Sequence, residues 1–300
     1  MEHQSKHRKT PYINNELEEE INLDNKHLFS VPSEIEQLKH LKSLSLYKNN
    51  LTELPETIWQ LTGLEVLNVA DNKFSFLPEG IGNLTDLRML DVGHNELTQL
   101  PVTLGKLASL KFLYISNNQL SSVPESLEKL KELLYLNITD NQLPSLPENI
   151  GKLTSLIELR LYNNQIRSLP ENIGNLINLR ELHLMNNQLT SIPESIGNLK
   201  NLKKLMLQGN SIESLPDSIG DVSSLTDLDL RFNKLTGIPE TIGKLENLRF
   251  LDLRANQLSS LPSSMSNLKS LEKLDLRWNK IQSLPDWFAR LEQRGCVIYT

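Results

Sequence analysis

The chain of 300 residues has one cysteine, Cys296, and only sixteen aromatic residues, 5% of the total. A single cysteine excludes an internal disulfide framework and fits a reducing compartment. No surplus of basic residues exists: the net charge is -6, which argues against the broad cationic face that generic binding to nucleic acid or anionic lipid requires. Long hydrophobic runs are missing as well, none approaching the roughly 20 residues that span a bilayer, so no membrane insertion is expected. The opening MEHQSKHRKTPYINNELEEE is polar and has no apolar core of a signal peptide, so a cytoplasmic location is expected, while export by a non-Sec route stays open. Phosphate-loop, GxSxG and HExxH motifs and spaced Cys/His ligand sets are all missing from the sequence, and the expectation is a non-enzyme without cofactor or metal. The six histidines are scattered, and Cys296 stands four residues from the last residue beside Val297, which reads as a buried residue of a capping strand.

What is present is a period. Twelve of the fourteen prolines, from Pro32 to Pro285, are spaced by 23 residues; only Pro11 and Pro144 fall outside. With proline as position 0, apolar residues recur at positions 3, 6, 9, 12, 14, 19 and 22, and asparagine at position 17. That asparagine is held at Asn49, Asn72, Asn95, Asn118, Asn141, Asn164, Asn187, Asn210, Asn233, Asn256 and Asn279, whereas the first turn has Lys26. The unit reads LPxxIGxLxxLxxLxLxxNxLxx. Its core, met at Leu228, Leu230, Asn233 and Leu235 and again in almost every unit, resembles the leucine-rich repeat family. The LPxxIGxL version is most similar to intracellular Ras-group, LAP and ROCO-type repeats and to stand-alone bacterial repeat proteins. The resemblance implies an α/β solenoid, a right-handed arc with one short parallel strand per turn on the concave face.

The residues lead independently to the same architecture. Alternation around positions 12 and 14 gives a strand with one buried face, and identical successive turns must pair those strands in parallel. One turn cannot bury seven apolar positions, but stacked turns share a core. An asparagine directly after the strand can donate and accept at once, so the position-17 row is expected to form a buried ladder. Position 4 is glycine in seven turns but Glu36, Trp59, Glu128, Ser266 and Ala289 elsewhere, which points to close packing of turns rather than to a required positive φ. About a dozen residues connect proline to strand, room for 3₁₀ or irregular turns on the convex side. Residues 1–20 read as a polar lead and partial cap, 21–284 as the array, and 285–300 as a C-terminal cap. In that cap Asp286 is expected to cap a short helix, with Trp287, Phe288 and Leu291 covering the last turn and Gly295 ending it. A last strand follows, with Val297 and Tyr299 expected to point inward.

Positions 11, 13, 15 and 16 point away from the core and vary, and they hold eight of the sixteen aromatics, Tyr47 among them. An aromatic zone contains Phe112, Tyr114 and Tyr135; a mixed zone contains Arg160, Tyr162, His183, Met185 and Met206. A third zone contains Phe232, Phe250 and Trp278 beside two charged rows, Asp229, Asp252 and Asp275 against Arg231, Arg254 and Arg277. Aromatics stabilise sheets, but exposed on a concave surface they also anchor partners. The charged rows read either as a salt-bridge lattice or as a recognition stripe. The expected function is a monomeric scaffold that binds another protein, and not nucleic acid, through its concave sheet. The alternatives are a regulator of a signalling enzyme (kinase, phosphatase or small GTPase) and a secreted bacterial effector or recognition domain.

Overall fold

The computed structural model describes residues 18–300. Among them, thirteen three-residue strands form one parallel sheet in strict sequence order, from Glu20–Asn22 to Val297–Tyr299. Neighbouring strands are shifted by one repeat: Glu158 lies opposite Glu181, Leu159 opposite Leu182 and Arg160 opposite His183. The central residue of each repeat strand is an aliphatic pointing into the core, and the two flanking it lie on the other face, half-buried or exposed except for the buried Asp229 and Asp275.

Between strands the chain returns through a five-residue 3₁₀ segment, such as Glu171–Asn175, in each of eleven turns. Proline precedes every one, with φ between -57° and -73°. Its ring sets the backbone angle the segment starts from, and its missing N–H is not needed there. Its carbonyl is used instead: Pro170 O accepts the N–H of Ile173 at 3.0 Å. Position-4 glycines adopt no positive φ. A Cβ at Gly151 would stand 2.2 Å from the Asn172 carbonyl oxygen of the next turn, so backbone contact excludes a side chain there. Trp59 occupies the same position and is buried because the next turn offers Gly80, where a Cβ would lie 2.6 Å from the indole Cδ1.

The asparagine row is buried from Asn49 to Asn256 and half-buried at Asn279. Asn187 represents it: Nδ2 donates to Leu184 O at 3.1 Å in its own turn and to Leu161 O at 3.0 Å in the turn before, while Oδ1 accepts the N–H of Ile166 at 3.0 Å. One carboxamide thus satisfies backbone groups of two turns just past the strand, where the ladder bends away.

The C-terminal cap differs from expectation in two respects. The helix is Phe288–Gln293, with Phe288 and Leu291 buried and Trp287 partly buried against the core, but Trp287 is the N-cap residue and Asp286 makes no capping bond. Val297 and Tyr299 do not point inward; both are exposed, and Ile298 packs on the core opposite Leu274. The cause is arithmetic: Leu274 to Ile298 is 24 residues, against 23 for other strand pairs, because the helix adds a residue to the return path. With a side-chain period of two, one extra residue swaps the faces. Cys296 then points inward, and burial pushes its thiol up to about 11. Gly295, at φ 92°, ends the helix as expected. Most of the polar lead, residues 1–17, lies outside the described residues.

Candidate functional site

The outward surface divides into the strand positions proper and the bend that follows them. Strands cover only positions 11–13, so Phe112, Tyr114, Tyr135, Arg160, His183, Met206 and Phe250 stand on the sheet. Tyr162, Met185 and Arg231, Arg254 and Arg277 lie just beyond it, and Phe232 and Trp278 one residue further on. All fourteen are half-buried or exposed, with Phe112 39% exposed.

Tyr114 and Tyr135 form one cluster, their rings 4.9 Å apart and tilted by 38°, with the Arg160 guanidinium 5.6 Å from the Tyr135 ring. Next to it, Glu158 and Glu181 organise the mixed zone, and the sequence reading passed over both. Arg160 pairs with Glu158, Glu181 lies 3.0 Å from His183 Nε2, and Lys204 Nζ stands 2.9 Å from Glu181. Burial would raise the Glu181 carboxyl, but hydrogen bonds from Lys204 and His183 outweigh it and hold the group low. Glu158, Glu181 and His183 could converge on a cation, since one ligand atom of each lies within 4.8 Å of the others. Both carboxylates are already neutralised by Arg160 and Lys204, however, and a divalent ion would have to displace or repel those cations. The chemistry of this set is that of an ion-pair chain.

The charged rows of the last turns have a specific geometry. Arg231, Arg254 and Arg277 each pair with the aspartate of their own strand, at 3.1, 2.6 and 2.7 Å. Each Asp Oδ1 also accepts the N–H of that arginine, two residues on, at 3.2 to 3.4 Å. The same turn is made by Asn22, Asn68, Asp91 and Asn137, so a short oxygen-bearing side chain at position 13 finishes the strand. Asp229 is 7% exposed and Asp275 fully buried. Their carboxylates therefore face the backbone and the arginines, and the outer surface carries the guanidinium groups. Burial pushes Asp91 and Asp229 up. It pushes Asp275 in the same direction, but hydrogen bonds from Arg277 and the charges of Arg254 and Arg277 prevail and bring that carboxyl down. A cleft of ≈ 240 Å³ opens over this part of the sheet, lined by Met206, Asp229, Arg231, Phe250, Asp252 and Arg254 among others.

Position 16 carries a feature no outward-facing pattern revealed. Its backbone is left-handed in every complete turn, with φ from 51° to 70°. Asn, Asp and Gly tolerate that conformation, and Asp71, Asn117, Asp140, Asn163, Asn186 and Gly209 supply it. Phe232 and Trp278 hold it with bulky side chains, at φ 56° and 62°, a conformation that costs an L-residue about 1–2 kcal/mol. Their rings stay on the surface: they are 49% and 65% exposed and lie 6.4 Å apart, reaching toward each other past Ala255, with the Arg277 guanidinium 5.8 Å from the Trp278 ring. The alternation of DN, NN and GN pairs ahead of the core leucine was the signal for this bend.

Models of the leucine-rich repeat region match residues 20–96, 86–171 and 163–248, and a leucine-rich repeat model matches 247–293. The chain belongs to the leucine-rich repeat family. A leucine-rich repeat protein of Leptospira interrogans is 34% identical over 93% of this chain and 83% of its own, with a TM-score of 0.63. The leucine-rich repeat ectodomain of the Arabidopsis thaliana receptor kinase GASSHO1/SCHENGEN3, solved in complex with CASPARIAN STRIP INTEGRITY FACTOR 2, is 35% identical. That match spans 86% of this chain but only 35% of the ectodomain, with a TM-score of 0.72. An internalin of Listeria monocytogenes, 22% identical with a TM-score of 0.72 over 94% of this chain, shares the fold. No curated protein matches. No helix among the described residues is long and apolar enough to cross a membrane.

Proposed function

We propose that this leucine-rich repeat protein is a non-enzymatic scaffold that binds a partner protein through its concave sheet and the adjoining bend. The observation that carries the reading is the placement of aromatics. In a chain with 5% aromatics, Tyr114, Tyr135, Phe112, Phe250 and Trp278 stand on the open face of a rigid array whose core is mostly aliphatic, with Trp59, Phe74 and Phe288 the aromatics buried in it. Large rigid rings of this kind supply interface area at small conformational cost. The GASSHO1/SCHENGEN3 ectodomain, which has the same fold, was solved with a ligand bound. The reading takes the chain as a monomer in a reducing compartment, supported by the single buried cysteine, and as a binder of protein rather than nucleic acid, supported by the net charge of -6.

The test uses immobilised protein and extract of the native cells, followed by calorimetry with the one captured protein after purification. Tyr114→Ala combined with Tyr135→Ala should weaken that complex at least about tenfold. A convex double change, Glu171→Ala with Asn175→Ala, should leave it intact. If the convex change abolishes binding and the tyrosine pair does not, the binding face is misplaced and the rings serve only the sheet.

A further inference from the structure

We propose that the bend side of the last three turns, residues 231–237, 254–260 and 277–283, docks an extended acidic peptide segment carrying an aromatic side chain. The proposal rests on the protein-binding reading above and gives it a location and a partner chemistry. The three segments, RFNKLTG, RANQLSS and RWNKIQS, hold five cations and no carboxylate in a chain of net charge -6. In the eight turns before them, the equivalent segments from 47–53 to 208–214 carry three cations (Lys48, Lys73, Arg167) and five carboxylates (Glu53, Asp71, Glu96, Asp140, Glu213). The cationic bend is therefore a property of the last three turns and not of the repeat.

The same turns place Phe232 and Trp278 on left-handed backbone, between the arginine row at position 15 and Lys234 and Lys280 at position 18. Charge and aromatic surface thus coincide. Both lysines are exposed, and neither has a carboxylate partner among the described residues; Lys280 reaches only Gln257 Oε1, at 3.4 Å. They occupy the same position in turns two apart, about 10 Å along the array at the spacing of parallel strands. Three residues of a polyproline II-type extended chain make one full turn and advance about 9 Å, so carboxylates at i and i+3 of a peptide in that conformation running along the array share a face and would meet the two lysines. A side chain between them would face the rings. Single-stranded nucleic acid also combines negative charge with flat rings, but here Arg231, Arg254 and Arg277 are already engaged by Asp229, Asp252 and Asp275. Two unpaired cations suit two carboxylates better than a continuous phosphate chain, which draws its affinity from many contacts.

The experiment is fluorescence anisotropy with the full chain and a labelled peptide, Gly-Ser-Glu-Trp-Gly-Glu-Ser-Gly. Comparators carry Ser for Trp or Lys for both Glu, and a fourth probe is a labelled oligothymidine. The acidic aromatic peptide should bind at least about tenfold more tightly than any comparator, and less tightly as salt rises. Lys234→Glu with Lys280→Glu should remove binding, as should Trp278→Asn, each with unchanged urea unfolding or a shift to higher urea. Tyr114→Ala with Tyr135→Ala should leave peptide binding as it was, which separates this site from the sheet. The proposal is overturned by equal binding of oligothymidine, by retention after charge reversal, or by no saturation with protein at about 0.5 mM. Should the peptide fail while the captured natural partner still depends on Tyr114 and Tyr135, the scaffold reading stands and the acidic-peptide site falls.

Discussion

In the middle turns the left-handed bend positions look after one another: Asn117 Nδ2 lies 3.3 Å from His94 Nε2, Asn163 donates to Asp140 at 2.7 Å, and Asn186 to Asn163 at 2.8 Å. In the last three turns the same positions are Phe232, Ala255 and Trp278, on backbone with φ 56°, 52° and 62°. The two regions share register, core and asparagine ladder, so folding makes the same demand on both. One meets it with residues suited to the bend, and the other overrides it with exposed rings. A local rule broken by rings that are left exposed points to a requirement other than stability.

If the regions differ only on the outside, damage to the inside should cost the same in each. Leu184→Ala, which empties a fully buried site, should destabilise by about 2–5 kcal/mol. Asn187→Ala in the middle and Asn256→Ala near the end both strand backbone groups of two turns, and each should cost about 1–3 kcal/mol in urea unfolding. Asn175→Ala, on the exposed convex side, is the control. A much smaller penalty at Asn256 than at Asn187 would mean that the end of the array is already loosened, and the comparison would fail.

Close packing of turns gives the next contrast. Gly151→Ala and Gly243→Ala would drive a Cβ to 2.2 and 2.4 Å from the carbonyl oxygens of Asn172 and Ser264, and should each cost about 1–3 kcal/mol. Gly237, where an added Cβ meets nothing within 4 Å, should accept alanine without loss. Equal melting of all three variants would refute the packing explanation of the glycine column.

Position 13 supplies a test by pH. Burial raises the Asp91 carboxyl, and the arginine that accompanies Asp229, Asp252 and Asp275 is here Gly93. A raised native pKa means that the unfolded chain releases this proton at lower pH than the folded one. The contribution of Asp91 therefore falls as pH rises from the ordinary carboxylate range through the raised value, and the penalty is complete above it. Asp91→Asn keeps an oxygen for the Gly93 N–H and removes that penalty, so it should stabilise the protein near neutral pH and have little effect near pH 3. Destabilisation at neutral pH would show that the charge itself is needed.

The spacing of proline and asparagine made most of this legible in advance: the parallel solenoid, the buried Asn row and the glycine column follow from a pattern repeated at every turn. Three things were not visible, each for a local reason. Val297 and Tyr299 were placed on the wrong face because one extra residue in the capping helix inverts a period-two pattern. The ion-pair chain of Glu158 and Glu181 was missed because position 11 was searched for rings rather than for charges. The left-handed bend was overlooked because the asparagines before Asn118, Asn164 and Asn187 looked like further surface residues, although they answer a backbone angle. The surface residues themselves record no partner, since what they contact is not in this chain.

The most direct measurement is a reciprocal exchange between the two regions, followed by urea unfolding. Asn163→Phe puts a ring on the middle bend and removes its bond to Asp140, and should destabilise by about 1–2 kcal/mol. Phe232→Asn with Trp278→Asn relieves two strained positions at the expense of one ring contact and the Arg277 contact to Trp278, and should leave the protein as stable as before or more so, by up to about 2 kcal/mol. Stability lost on the second exchange would contradict the account, because it would make the exposed rings part of what holds the last turns together.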